Sequence, residues 1–187
     1  PIMQNQQIHT SNNPFEQNAQ APLVSFIITT YNLPSEYLEL CLKSILKLSL
    51  NPKEREIIMI DDGSELSPIQ DLMDYQDDII YLRQRNQGLS MARNKGIQIA
   101  TGKFIQFIDG DDYVKKDYLE TLIKNSKGVD IVWTGAPCSG IKTGLEMYKY
   151  ATENWIYFTC WGKLWSRKVV SSKIYSKLKL CEDVATN

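Results

Sequence analysis

A chain of 187 residues, 43% hydrophobic and 23% charged, has the balance of a soluble globular domain able to bury a sizeable core. Its formal net charge of -1, with no local block of Lys and Arg, offers no electrostatic footprint for a nucleic-acid backbone and excludes duplex DNA or RNA as expected partners. No apolar run approaches the roughly 20 residues that span a bilayer and no signal-peptide pattern opens the chain, so the expected setting is cytoplasmic, with peripheral membrane association left open.

Residues 1–21 are rich in Gln and Asn with almost no apolar pattern, and read as a flexible extension. Residues 22–187 read as a single domain. Order begins with the β-rich run Leu23–Ile28, followed by Thr29-Thr30-Tyr31-Asn32. Pro34 suits the first turn of a helix, in which Leu38, Leu42, Ile45, Leu46 and Ser49 recur at helical spacing before Pro52 stops it. A second buried strand, Glu56–Ile60, runs directly into Asp61-Asp62-Gly63-Ser64. A short helix is expected over Ser67–Tyr75, a third strand over Ile79–Leu82 and a loop over Arg83–Gly88. Leu89, Ala92, Gly96 and Ile99 mark a helix face, and Gly102 stands where a C-cap glycine belongs, just before the strand Lys103–Ile108. Val114–Asn125 reads as the next helix. Strands alternating with helices predict an α/β fold: an open, mostly parallel central sheet, helices on both faces and right-handed crossovers.

Asp109-Gly110-Asp111-Asp112 holds three carboxylates in four positions at the end of an apolar strand. Such density is relieved by a divalent cation with hard oxygen preference, Mg²⁺ or Mn²⁺. The competing reading is a polar turn, since Asp and Gly tolerate left-handed backbone and cap helices. Asp61-Asp62 ends another strand, and ligands of open α/β sheets bind outside the carboxyl ends of strands, so the two clusters converge on one crevice and favour a ligand site. The only histidine, His9, lies in the polar N-terminal segment, which leaves a carboxylate, Lys, Tyr or Cys as any general base. Cys41, Cys138, Cys160 and Cys181 lack the paired spacing of zinc ligands; the mostly apolar neighbours of Cys41 suggest a buried thiol, and the set suits a reducing compartment.

Four blocks in order carry a resemblance: Val24-Ser25-Phe26-Ile27-Ile28-Thr29-Thr30-Tyr31-Asn32, Ile60-Asp61-Asp62-Gly63-Ser64, Asn86-Gln87-Gly88-Leu89-Ser90-Met91-Ala92-Arg93-Asn94-Lys95-Gly96 and Phe107-Ile108-Asp109-Gly110-Asp111-Asp112. Together they resemble the signature of family 2 glycosyltransferases, enzymes of the GT-A fold, and Cys160-Trp161-Gly162-Lys163-Leu164 and Glu182-Asp183 are similar to two later elements of that family. The resemblance implies inverting transfer of a sugar from a nucleotide diphosphate, commonly a UDP-sugar, to an acceptor hydroxyl, with Mn²⁺ or Mg²⁺ as cofactor. It places Thr29 and Tyr31 in the nucleotide pocket, Tyr31 near the base. Asp62 is to accept a hydrogen bond from the uracil ring nitrogen while Asp61 shapes the same turn. Asp109 contacts ribose or metal, Asp111 ligates the metal and Asp183 is the catalytic base. The donor half covers about 22–134 and a partial acceptor half about 135–187, for a carbohydrate or lipid-linked acceptor in surface polysaccharide or glycoconjugate synthesis.

Structural readings stand beside several of these roles. Asp112 suits a cap for the helix Val114–Asn125. Arg93 can meet the donor phosphates or serve as a solvated or structural partner. Asn94 and Gly96 suit turn and packing needs, Asp77-Asp78 a loop, and Lys142 and Lys149 a solvated face. The aromatic residues after Thr134 suit core packing, with Trp161 the candidate for stacking on an acceptor sugar and Glu182 a second acceptor-site candidate. Two other activities compete: a nucleotide-sugar-binding module without turnover, and a nucleotidyltransferase of similar sheet, whose glycine-rich loop Thr29-Thr30-Tyr31-Asn32 does not supply.

Overall fold

Seven consecutive buried residues, Val24–Thr30, form β1, and burial on both faces places this strand inside a sheet flanked by two helical layers. The computed structural model describes residues 21–133, 145, 146, 149, 160 and 162–170. Along the chain follow α1 (Ser35–Leu46), β2 (Arg55–Asp61), β3 (Ile80–Arg83), α2 (Leu89–Ile99), β4 (Phe104–Asp109), α3 (Lys116–Lys124), β5 (Ile131–Trp133) and β6 (Lys163–Ser166). These strands make one sheet in the order β3-β2-β1-β4-β6-β5. β1 runs parallel to both β2 and β4, and β2 parallel to β3, while β6 is antiparallel to β4 and β5. The expected mostly parallel α/β sheet is therefore present, and β6 is the inverted strand.

Strand alternation divides the core. Phe26, Ile28, Ile57, Met59 and Ile108 pack with Leu38, Leu42 and Ile45 of α1 and Leu119 and Leu122 of α3. Ile27, Ile58, Ile60, Ile105 and Phe107 pack on the other face with Ala92 and Ile97 of α2. Helices thus cover both faces. Among the described residues, no helix is long and apolar enough to cross a membrane.

Four local expectations change. Ser67–Tyr75 is two single 3-10 turns, Pro68–Gln70 and Met73–Tyr75; Pro68 and Leu72 are buried and Tyr75 packs part-buried against the core, while Met73 stays exposed, so the burial is too small to hold a full helix. Pro34 is the N-cap of α1 rather than its first turn, and Ser49 lies beyond the helix, whose C-cap is Lys47. Gly102 does not cap α2: Ala100 closes that helix with an N–H bond to Gly96 O, and Gly102 N–H donates instead to Ser25 Oγ at 2.8 Å. α3 begins at Lys116 rather than Val114, because the backbone is still extended at Lys115, its N-cap; the Val114 N–H donates to Ser44 Oγ of α1 at 2.9 Å.

Gly96 sits where α2 crosses β1, and a Cβ there would lie 2.3 Å from Ile27 Cγ2. Alanine is the better helix former by about 1 kcal/mol, whereas forcing a methyl into a filled core costs about 1–3 kcal/mol, and a contact this short puts the cost at the upper end. Gly96→Ala is therefore expected to destabilise the fold by about 1–2 kcal/mol in urea unfolding. A stabilised variant would show that α2 is not seated on Ile27.

Candidate functional site

The ends of three parallel strands lie in one row. β1 pairs Thr30 with Asp61 of β2 and Thr29 with Asp109 of β4, so the two acidic sequences are brought to the same edge of the sheet. Thr29 is buried at the centre of this row and Tyr31, just beyond it, is half exposed.

Asp61 is fully buried and braced by its neighbours. Its Oδ1 accepts the Ser64 N–H at 2.8 Å, its Oδ2 accepts the Tyr81 hydroxyl at 2.7 Å, and Arg83 Nε lies 3.4 Å away. Arg83 also donates to Ser64 O, and Ser64 Oγ accepts the Asn32 N–H at 2.9 Å. Asn32 adopts φ 49°, a left-handed conformation that asparagine tolerates, and its Oδ1 takes the Glu65 N–H at 2.7 Å. Turns after β1 and β2 are clamped together through this carboxylate. Burial opposes its ionisation, but the bonds from Ser64 and Tyr81 and the charge of Arg83 outweigh it and hold its pKa below the usual carboxylate range. Asp61 is thus enclosed by the turn it was expected to shape.

Asp62 faces the other way, into the segment before α2. Oδ1 accepts Gln84 Nε2 at 2.7 Å and the Gln87 N–H at 3.0 Å, and Oδ2 accepts the Gly88 N–H at 2.8 Å. Gly63 has φ 81°, and a Cβ there would meet Asn86 N at 2.7 Å, so only glycine lets the β2 turn lie against this segment. Sequence reasoning passed over Gln84. Its signal was available: one residue beyond a strand, opposite an Asp-Asp-Gly turn.

Asp109 shares the parity of Ile105 and Phe107 and so faces α2, where Arg93 meets it with Nη2 3.1 Å from Oδ1. Arg93 is only 2% exposed, which removes the solvated-surface alternative and makes it a structural partner that orients Asp109. Asp111 and Asp112 are exposed. Asp112 does not cap α3: the N-cap is Lys115 and makes no side-chain cap bond, because the chain stays extended past Val114, and the Asp112 N–H closes a turn onto Asp109 O at 2.9 Å. Burial raises the Asp112 pKa, and the charges of Asp109 and Asp111 raise it further. The same three carboxylates are felt below the turn, where burial and then their field push the Cys41 thiol to about 12.

Among the described residues no group of three His, Cys, Asp or Glu side chains is arranged to hold a metal by itself. Asp109 gives Oδ1 to Arg93, and the exposed Asp111 follows two residues on, in a turn whose carboxylates raise the Asp112 pKa; oxygen donors of this kind fit Mg²⁺ or Mn²⁺ bound by one or two carboxylates with substrate phosphates completing the shell. Trp161, Glu182 and Asp183, with Tyr148, Tyr150, Trp155 and Tyr157, lie outside the described residues.

Comparison with known proteins agrees with this fold. The family model described as Glycosyl transferase family 2 matches residues 25–174. Glycosyltransferase GlyA of Streptococcus pneumoniae is 38% identical over 106 residues, covering 54% of this chain and 14% of that protein. S. aureus TarS 1-349 in complex with UDP superposes with a TM-score of 0.67 at 23% identity, covering 87% of this chain and 53% of that one. The mannosyltransferase PcManGT of Pyrobaculum calidifontis, in complex with GDP-Man and Mn²⁺, gives a TM-score of 0.65 at 19% identity, covering 89% and 51%. At these identities the structural likeness speaks for the fold. The chain spans 14% to 49% of the length of the curated relatives it matches.

The lowered pKa of Asp61 has a sign. Its stabilisation is complete above the unfolded carboxylate value of about 3.9 and is lost as pH falls through the lower folded value. Asp61→Asn should therefore be less stable than wild type at pH 7, with the gap closing below about pH 4 in urea unfolding. A gap that stays constant down to pH 2 would refute the brace.

Proposed function

The chain belongs to glycosyltransferase family 2, and we propose that it is an inverting, metal-dependent transferase that moves a sugar from a nucleotide diphosphate, UDP above all, to an acceptor hydroxyl. The observation that supports this reading is the single row formed by Thr29, Asp61 and Asp109, since Asp62 follows the end of β2 and Asp111 the end of β4, on the two sides of β1. Residues 22–134 form the donor half in this proposal, and 135–187 part of the acceptor half.

Each residue then has a task. Thr29 and Tyr31 line the nucleotide pocket, the exposed Tyr31 ring lying against the base. Asp62 accepts the ring N–H of uracil. Arg93 holds Asp109 in place, leaving one of its oxygens for ribose or metal. Asp111 and Asp109 would hold Mn²⁺ or Mg²⁺, whose chemistry is to neutralise the charge gained by the departing diphosphate. The acceptor oxygen bonds to the anomeric carbon from the face opposite the leaving group, the bond to the diphosphate oxygen breaks with its electron pair, and Asp183 takes the acceptor proton. Trp161 and Glu182 serve the acceptor, a carbohydrate or lipid-linked sugar, Trp161 by stacking. Synthesis of a surface polysaccharide at the cytoplasmic side of a membrane suits these parts.

Calorimetric titration tests the donor half: UDP is expected to bind with Mn²⁺ and much more weakly without it, and Asp111→Asn should lose the Mn²⁺-dependent gain. Silence toward UDP, GDP and dTDP alike, with Mn²⁺ present, would sink the proposal. For the acceptor half, Asp183→Asn should bind donor normally and lose transfer by a factor of roughly 10² or more. Near-normal turnover removes Asp183 as the base.

A further inference from the structure

We propose that Gln84 is a positioning residue that sets the choice of donor base through Asp62. This rests on the reading of Asp62 as the base acceptor. An ionised carboxylate offers about four lone-pair positions. Gln84 Nε2 and the Gln87 N–H take the two on Oδ1, and the Gly88 N–H takes one on Oδ2. One position remains for a ligand, on Oδ2.

Gln84 is placed for this by the strand before it. The Gln84 N–H donates to Asp61 O at 2.9 Å, so the β2–β3 ladder continues one residue past Arg83 and lays the Gln84 side chain across the carboxylate of the next residue, Asp62. Gln87 and Gly88 donate from the backbone; Gln84 is the side-chain member of the set.

A carboxylate with one remaining acceptor position discriminates among bases by their donors. Uracil and thymine present a single ring N–H between two carbonyls, and one acceptor satisfies it. Guanine presents two adjacent donors, its ring N–H and its exocyclic amine, which pair best with both oxygens of a carboxylate. With Oδ1 filled, that amine is left unpaired, and an unpaired buried donor is costly. Cytosine turns a ring lone pair toward the carboxylate and is repelled. The saturated Oδ1 thus fits a uracil or thymine nucleotide.

Calorimetry in Mn²⁺ with UDP, GDP, IDP and N3-methyl-UDP tests the inference on the unaltered protein. IDP carries the guanine ring without its exocyclic amine. UDP is expected to bind about tenfold or more tighter than GDP, with IDP between them. IDP binding no tighter than GDP, or GDP binding tighter than UDP, overturns the role of Gln84. N3-methyl-UDP separates the two levels: if it binds as well as UDP, the reading of Asp62 itself fails. Gln84→Leu keeps the size and removes the donor, so the UDP-to-GDP preference should narrow by about tenfold, with the donor KM rising and kcat little changed. A brace of purely structural value would weaken both nucleotides equally, and an unchanged ratio in a folded variant overturns the proposal.

Discussion

The site depends on parallel register between β1 and its two neighbours. Because Thr30 pairs with Asp61 and Thr29 with Asp109, three strands separated by helical crossovers end at one level. A shift of one residue would turn Asp109 from the α2 face to the α1 face and away from Arg93. Apolar burial enforces the register, since the same slip would move Ile27, Ile58, Ile60 and Phe107 out of their layer. Core packing and site geometry are one constraint seen at the middle and at the end of the strands.

Five carboxylates stand at this edge, and the fold treats them unequally. Asp61 and Asp62 are buried and taken up by protein donors, which stiffens the loops around the base end. Asp109 is half committed, to a guanidinium buried in α2. Asp111 and Asp112 are exposed, and burial followed by the mutual repulsion of the turn's carboxylates raises the Asp112 and Cys41 pKa values. Rigid hydrogen bonding at one end and open negative charge at the other suits the proposed donor, a nucleotide whose base is read and whose diphosphate arrives with a cation.

Much of this was legible in the residues. Apolar runs followed directly by Asp-Asp-Gly or Asp-Gly-Asp-Asp locate strand ends, because a strand buried on both faces must stop where carboxylates begin. Helical spacing identified α1 and α2 for the same reason. The misreadings fall where local chemistry was overruled by a neighbour. Asp112 suited a cap, but the chain stays extended through Lys115 while the Val114 N–H docks on a serine of α1, so the helix starts two residues later. Gly102 looked like a helix terminator and instead bonds to Ser25. Arg93 was open between a phosphate contact, a solvated face and a structural role; a lone charge on a helix gives no hint that the end of a strand holds its counter-ion.

Sequence alone determined the α/β class, the strand ends that bear the acidic residues and the family resemblance, because periodicity and motif order are local and survive without coordinates. Tertiary structure alone decided which oxygen of each carboxylate is already spoken for. That distinction rests on contacts such as Gln84 with Asp62, 22 residues away, and Arg93 with Asp109, 16 residues away, which exist only once parallel strands and crossing helices have set separate segments within hydrogen-bond reach.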